Sequence, residues 1–108
     1  DMKLYGPKNG DTCRKALKSL ETAGRSVAFV DVRKEGLNHA DVSRFHAAFG
    51  ANLLNTRSTT WRGLDEAERQ SEPLELLLKH PALMKRPVIE GENGLTLGWT
   101  KESQAVWL

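Results

Sequence analysis

A chain of 108 residues is long enough to bury one core and too short for two ordinary domains. Hydrophobic residues make up 39% and charged residues 28%, the balance of a globular domain, and no apolar run approaches the length needed to cross a bilayer. The formal charge of +2 is spread along the chain, which argues against nucleic acid as a partner, and a single cysteine excludes an internal disulfide and a cysteine-cluster metal site. With no charged-then-apolar leader, the expected compartment is the cytoplasm.

Met2 to Tyr5 predicts a first strand, followed by a Gly6-Pro7-Lys8-Asn9-Gly10 loop. A helix is expected to start at Asp11: Cys13, Ala16, Leu17, Leu20 and Ala23 recur at helical spacing, and Gly24 supplies the stop. The backbone amides near residues 10 to 14 then lack intrahelical partners and form an electropositive nest. Cys13 lies in the first turn, where those amides and the macrodipole favour a thiolate if the sulfur can be reached. It also heads the inward stripe, where a cysteine behaves as a small apolar residue.

Val27-Ala28-Phe29-Val30-Asp31-Val32 is a near-continuous run of β formers, as expected for a strand covered on both faces. Asn38 caps a predicted helix through Phe49, with Val42, Phe45 and Phe49 inward and Gly50 as its end. The hydroxyl-rich stretch from Leu53 to Trp61 shows no sustained period and reads as an ordered loop. Leu64 to Gln70 is expected to form a short helix. Ser71 and Pro73 start a better one carrying Leu74, Leu77 and Leu78, which His80-Pro81 stops. Val88-Ile89-Glu90 and Leu95-Thr96-Leu97 flank Gly91-Glu92-Asn93-Gly94, a hairpin signal, and Thr100 caps a final helix reaching Trp107. His39 and His46 share a helix face, but with no third ligand no metal site is expected.

The order βαβ, helical insert, ββα resembles the thioredoxin-like plan: an α/β fold around a four-stranded mixed sheet, in a single domain with an insert at about residues 38–84. The local wording narrows this. Lys3-Leu4-Tyr5-Gly6, Lys8-Asn9-Gly10-Asp11-Thr12-Cys13-Arg14-Lys15-Ala16, Leu53-Leu54-Asn55-Thr56-Arg57, Thr59-Thr60-Trp61-Arg62 and Lys85-Arg86-Pro87-Val88 resemble the arsenate reductase and Spx (ArsC-like) family, nearest its YffB-like branch. The resemblance covers nearly the whole chain. It implies that the usual redox cysteine position is held here by Gly10, three residues before Cys13, and that Pro87 matches a cis-proline facing the redox site. Of the arginines that hold the oxyanion in arsenate reductases, only Arg86 has a clear match; Asn55 and Trp99 stand at the positions of the others. A tetrahedral oxyanion needs several paired donors and an attacking thiolate, so arsenate reduction is a distant option.

Two main functions follow from the resemblance. One is a glutathione-dependent thiol-disulfide oxidoreductase with no bound cofactor and glutathione as co-substrate, in which Cys13 must serve as nucleophile. Gly10, Asp11, Thr12, Arg14, Arg86 and Pro87 then form the anion or glutathione cradle, and Asn55, Arg57 and Trp99 line the cleft. The other is a binding module without turnover, which keeps the pocket for glutathione or a thiol-containing protein, or uses its helical insert to hold a protein partner as Spx-like members do with RNA polymerase. For each site residue a plain structural role competes: Cys13 as core, the nest as an ordinary helix start, and Asn55, Thr56 and Thr59 as groups satisfying a nonrepetitive backbone.

Overall fold

The computed structural model describes residues 1–108. Strands β1 (Met2–Gly6), β2 (Val27–Asp31), β3 (Val88–Gly91) and β4 (Gly94–Leu97) form one sheet in the order β2-β1-β3-β4. β1 and β2 run parallel across helix α1 (Asp11–Thr22), and β1–β3 and β3–β4 are antiparallel. The chain then closes with helix α7 (Lys101–Trp107). This is the thioredoxin-like α/β plan with a four-stranded mixed sheet. No helix is long and apolar enough to cross a membrane.

Alternation along the two inner strands divides the core between the sheet's faces. On β1, Leu4 packs with Cys13, Ala16 and Leu20 of α1, Ile89 of β3 and Trp107 of α7, while neighbouring Tyr5 joins Val88 in a larger cluster under the helical insert. After the short α2 (Val32–Glu35), the insert comprises α3 (His39–Phe49), α4 (Thr59–Arg62), α5 (Glu66–Arg69) and α6 (Pro73–Lys79), with short 3-10 turns at Gly50–Leu53 and Pro81–Leu83. Val42, Phe45, Leu53, Leu77 and Leu83 are fully buried there. Arg44 fastens α3 to the sheet with two hydrogen bonds to the Glu90 carboxylate at 2.9 and 3.0 Å, and the Tyr5 hydroxyl donates to the same carboxylate at 3.3 Å.

Several sequence expectations need correction. Val32 is not in a strand: Asp31 accepts a hydrogen bond from the Arg33 amide and caps α2, so the run of β formers ends one residue early. β2 also lies at the sheet's edge, and none of its residues is fully buried. The Leu53–Trp61 segment is partly helical, because the Ser58 hydroxyl accepts from the Trp61 amide and starts α4. In α6 the inward pair is Leu76 and Leu77, and Leu78 is exposed. The hairpin, by contrast, is where it is expected: Glu92-Asn93 joins Gly91 to Gly94, neither loop residue has positive φ, and Gly94 opens β4 with φ of +114°.

Candidate functional site

Gly10 is the residue ahead of α1, and no side chain caps that helix, so its first amides have no intrahelical acceptor. Next to this terminus passes the loop into β3, with Arg86 joined to Pro87 by a cis peptide bond. The loop is held from the insert side: the Lys85 amide donates to the Leu53 carbonyl and the Asn55 amide to the Leu83 carbonyl, both at 2.8 Å, around a bridge between Leu54 and Met84. The Arg86 amide and carbonyl make no hydrogen bond within the protein.

A cleft of about 770 Å³ runs from Thr12 at the α1 terminus past Asn55, Lys85 and Arg86, and on along Thr96, Leu97 and Gly98. Phe49 and Asn52 bound it on the insert side, and Thr100, Glu102, Ser103 and Val106 on the α7 side. Its charges are two cations, Lys85 and Arg86, and one anion, Glu102. Such a set suits a zwitterionic or acidic peptide-sized ligand.

Cys13 does not line this opening: it is 0% exposed and packs with Leu4, Ala16 and Ile89. Burial pushes its thiol above the ordinary value, and the charge of Arg86 pulls the other way without reversing the shift. A thiolate at the helix end is expected only if the sulfur can be reached; here the sulfur is buried, and its desolvation outweighs the favourable charge of Arg86. The enclosure is tight. A Cβ on Gly6 would fall within 2.4 Å of the Cys13 sulfur, and one on Gly10 would stand 3.7 Å from it and 3.0 Å from Pro7 Cγ.

The remaining expected site residues separate. Thr12, Asn55 and Arg86 share the cleft, but Asn55 directs its side-chain oxygen to the Arg57 amide at 3.1 Å. Asp11 and Arg14 are exposed and paired with each other, and Arg14 borders a different hollow with Lys8, Phe29 and Lys34. Arg57 does not line the cleft; its carbonyl accepts from Arg62 at 3.1 Å. Trp99 is likewise outside it: Gly98, with φ of +81°, turns the chain, and Trp99 flanks a groove with Lys15, Lys18 and Leu108. Sequence reasoning missed Lys85, Thr96, Gly98, Thr100 and Ser103. Adjacency to Arg86 could have flagged Lys85, whereas the others needed the sheet order.

Residues 5–106 match the ArsC family. An uncharacterised protein of Haemophilus influenzae is 38% identical over 110 residues, spanning 96% of each chain. The YusI protein of Bacillus subtilis is 31% identical, covering 91% of this chain and 88% of its own. The solved structure of a YffB protein superposes with a TM-score of 0.90 at 32% identity, covering 100% of this chain and 99% of that one.

Proposed function

Because this chain belongs to the ArsC family, we propose that it is a thioredoxin-fold module that binds a thiol-containing peptide, with glutathione as the simplest, and does not itself turn over. The observation that carries this reading is the division at the α1 terminus: the one thiol is sealed at 0% exposure, while the Arg86 backbone is unbonded and a cleft opens beside it. Thiol–disulfide exchange requires a thiolate that meets its partner, and a buried thiol with a raised pKa fails on both counts. Binding makes no such demand. Glutathione carries two carboxylates and an ammonium, which complement Arg86, Lys85 and Glu102, and its backbone can pair with the unbonded amide and carbonyl of Arg86.

The test has two arms. Iodoacetamide should label Cys13 at least about a thousandfold more slowly in the native protein than in the unfolded one, since access requires opening of the fold. Glutathione should shift the Thr12 and Arg86 amide resonances, and Arg86→Gln should weaken that binding about tenfold. The competing reading, a glutathione-dependent reductase, draws on the one charge that lowers the Cys13 pKa, that of Arg86. Rapid native labelling below about pH 8.5, with disulfide reduction abolished in Cys13→Ser, would establish it instead.

A further inference from the structure

The sheet has two free edges, β2 and β4, and they are treated differently. Edge β2 is flanked by charge: Asp31 within it, and Lys8, Arg14, Lys34 and Glu35 around Phe29. Charged residues along an edge discourage a further strand. Edge β4 carries Leu95, Thr96 and Leu97, with no charged residue from Gly94 to Trp99.

Register fixes which β4 groups are unpaired. The Gly98 amide donates to the Pro87 carbonyl at 2.8 Å, and β3 and β4 pair Val88 with Leu97, Ile89 with Thr96 and Glu90 with Leu95. Hydrogen-bonded and non-hydrogen-bonded pairs alternate in an antiparallel ladder. Gly98 and Thr96 therefore face β3, and the N–H and C=O groups of Leu95 and Leu97 point outward from the sheet. None of these groups is bonded to a loop or side chain.

The Thr96–Gly98 part of that edge lines the cleft already described, together with Phe49 and Asn52 of the insert side and Ser103 and Val106 of α7, and Leu95 continues the edge beyond it. Residues of the insert and of α7 both line the cleft beside this edge, so an occupant there meets side chains as well as the unpaired backbone, which suits a single extended strand. Lys85 and Arg86 stand where β4 runs out, beside Gly98. Their charge selects a carboxylate at that end of the occupant.

We propose that the β4 edge is a strand-addition site for an extended segment of a protein partner, bonded to the Leu95 and Leu97 backbone, with an acidic side chain or terminal carboxylate at Lys85 and Arg86. This goes beyond the thiol-peptide reading and does not depend on it: the charges of Lys85 and Arg86 serve both, but no sulfur is required, and the amides engaged belong to β4 rather than to the loop carrying Arg86. Affinity comes from the backbone bonds, and specificity from the alternate side chains set against those lining the cleft.

The probe is the synthetic peptide acetyl-Thr-Val-Thr-Val-Thr-Asp, titrated into the isotopically labelled full chain. Its binding should move the Leu95 and Leu97 amide resonances and slow their hydrogen exchange about tenfold at saturation. The same peptide N-methylated at alternate amides should not bind, and Lys85→Gln or replacement of the peptide's Asp by Asn should weaken binding about three- to tenfold. Unmoved Leu95 and Leu97 amides at about 1 mM peptide overturn the proposal, as does equal binding of the methylated peptide. Protection of the same amides by concentration-dependent dimerisation without peptide also overturns it, in favour of a second copy. A glutathione response at Thr12 and Arg86 with none at β4 would sink this inference alone, and the reverse would sink only the thiol-peptide reading.

Discussion

The two sides of the α1 terminus present opposite chemistry from a single turn of helix. On one side Cys13 is enclosed by Gly6, Gly10, Leu4 and Ile89, with the glycines leaving no room for a Cβ near the sulfur that would not press on it or on Pro7. On the other, Thr12 opens onto a polar cleft with Arg86 and Lys85. The same unpaired amides and the same macrodipole serve both. What separates them is desolvation: within the core it outweighs the Arg86 charge, and in the cleft solvent remains to support an anion.

The largest expected effect comes from overfilling the closed side. Gly6→Ala places a Cβ within 2.4 Å of the Cys13 sulfur, and should cost about 1–3 kcal/mol in urea unfolding. Adding Cys13→Ala should recover part of that loss, so the double variant should be less destabilised than the sum of the two singles.

Opening the closed side chemically is the next test. Gly10→Cys puts a Cβ 3.7 Å from the Cys13 sulfur. Under oxidation it should form a disulfide with Cys13, seen as the loss of both free thiols and a fall in mass of about two hydrogens. The unoxidised variant should react with iodoacetamide at residue 10 far faster than the parent does at Cys13.

Smaller effects appear in the pH dependence. The fold holds Cys13 and Tyr5 protonated, Cys13 by burial and Tyr5 by burial together with Asp41 and Glu90, which push its phenol up to about 12. A raised folded pKa stabilises fully below the unfolded value, and that stability is lost as pH climbs toward the folded value. Stability should therefore decline from the ordinary thiol value of 9.0 upward. Cys13→Ala should flatten the first part of that decline, and Tyr5→Phe the part between 10.0 and about 12. At the acid end the Arg44 hydrogen bonds hold the Glu90 carboxyl below its ordinary 4.5. The stability from that contact should be present above 4.5 and lost as pH falls through the lowered value. Smallest of all, Arg14→Gln should leave glutathione binding within about twofold and stability within about 0.5 kcal/mol, because an exposed pair contributes little and does not reach the cleft.

Much of this was legible in the residues. The period of Cys13, Ala16 and Leu20 placed the sulfur on an inward stripe, the caps at Asn38 and Thr100 fall where their helices begin, and the apolar runs with their turn residues carried the order of elements. The hydroxyl-rich loop was less readable, since Ser58 and Asn55 satisfy neighbouring backbone without leaving a periodic signal.

By itself the sequence determined local direction: where the main helices α1, α3 and α7 start, which side of α1 turns inward, and that the chain has one thiol. Only the tertiary structure decided the sign of the Cys13 shift, the sorting of Arg14 and Trp99 away from Arg86, and the exposure of β4 rather than β3. Local propensities act over a turn or two, whereas solvent access and strand order depend on segments tens of residues apart packing against one another. Desolvation, the larger influence at Cys13, exists only once that packing is complete.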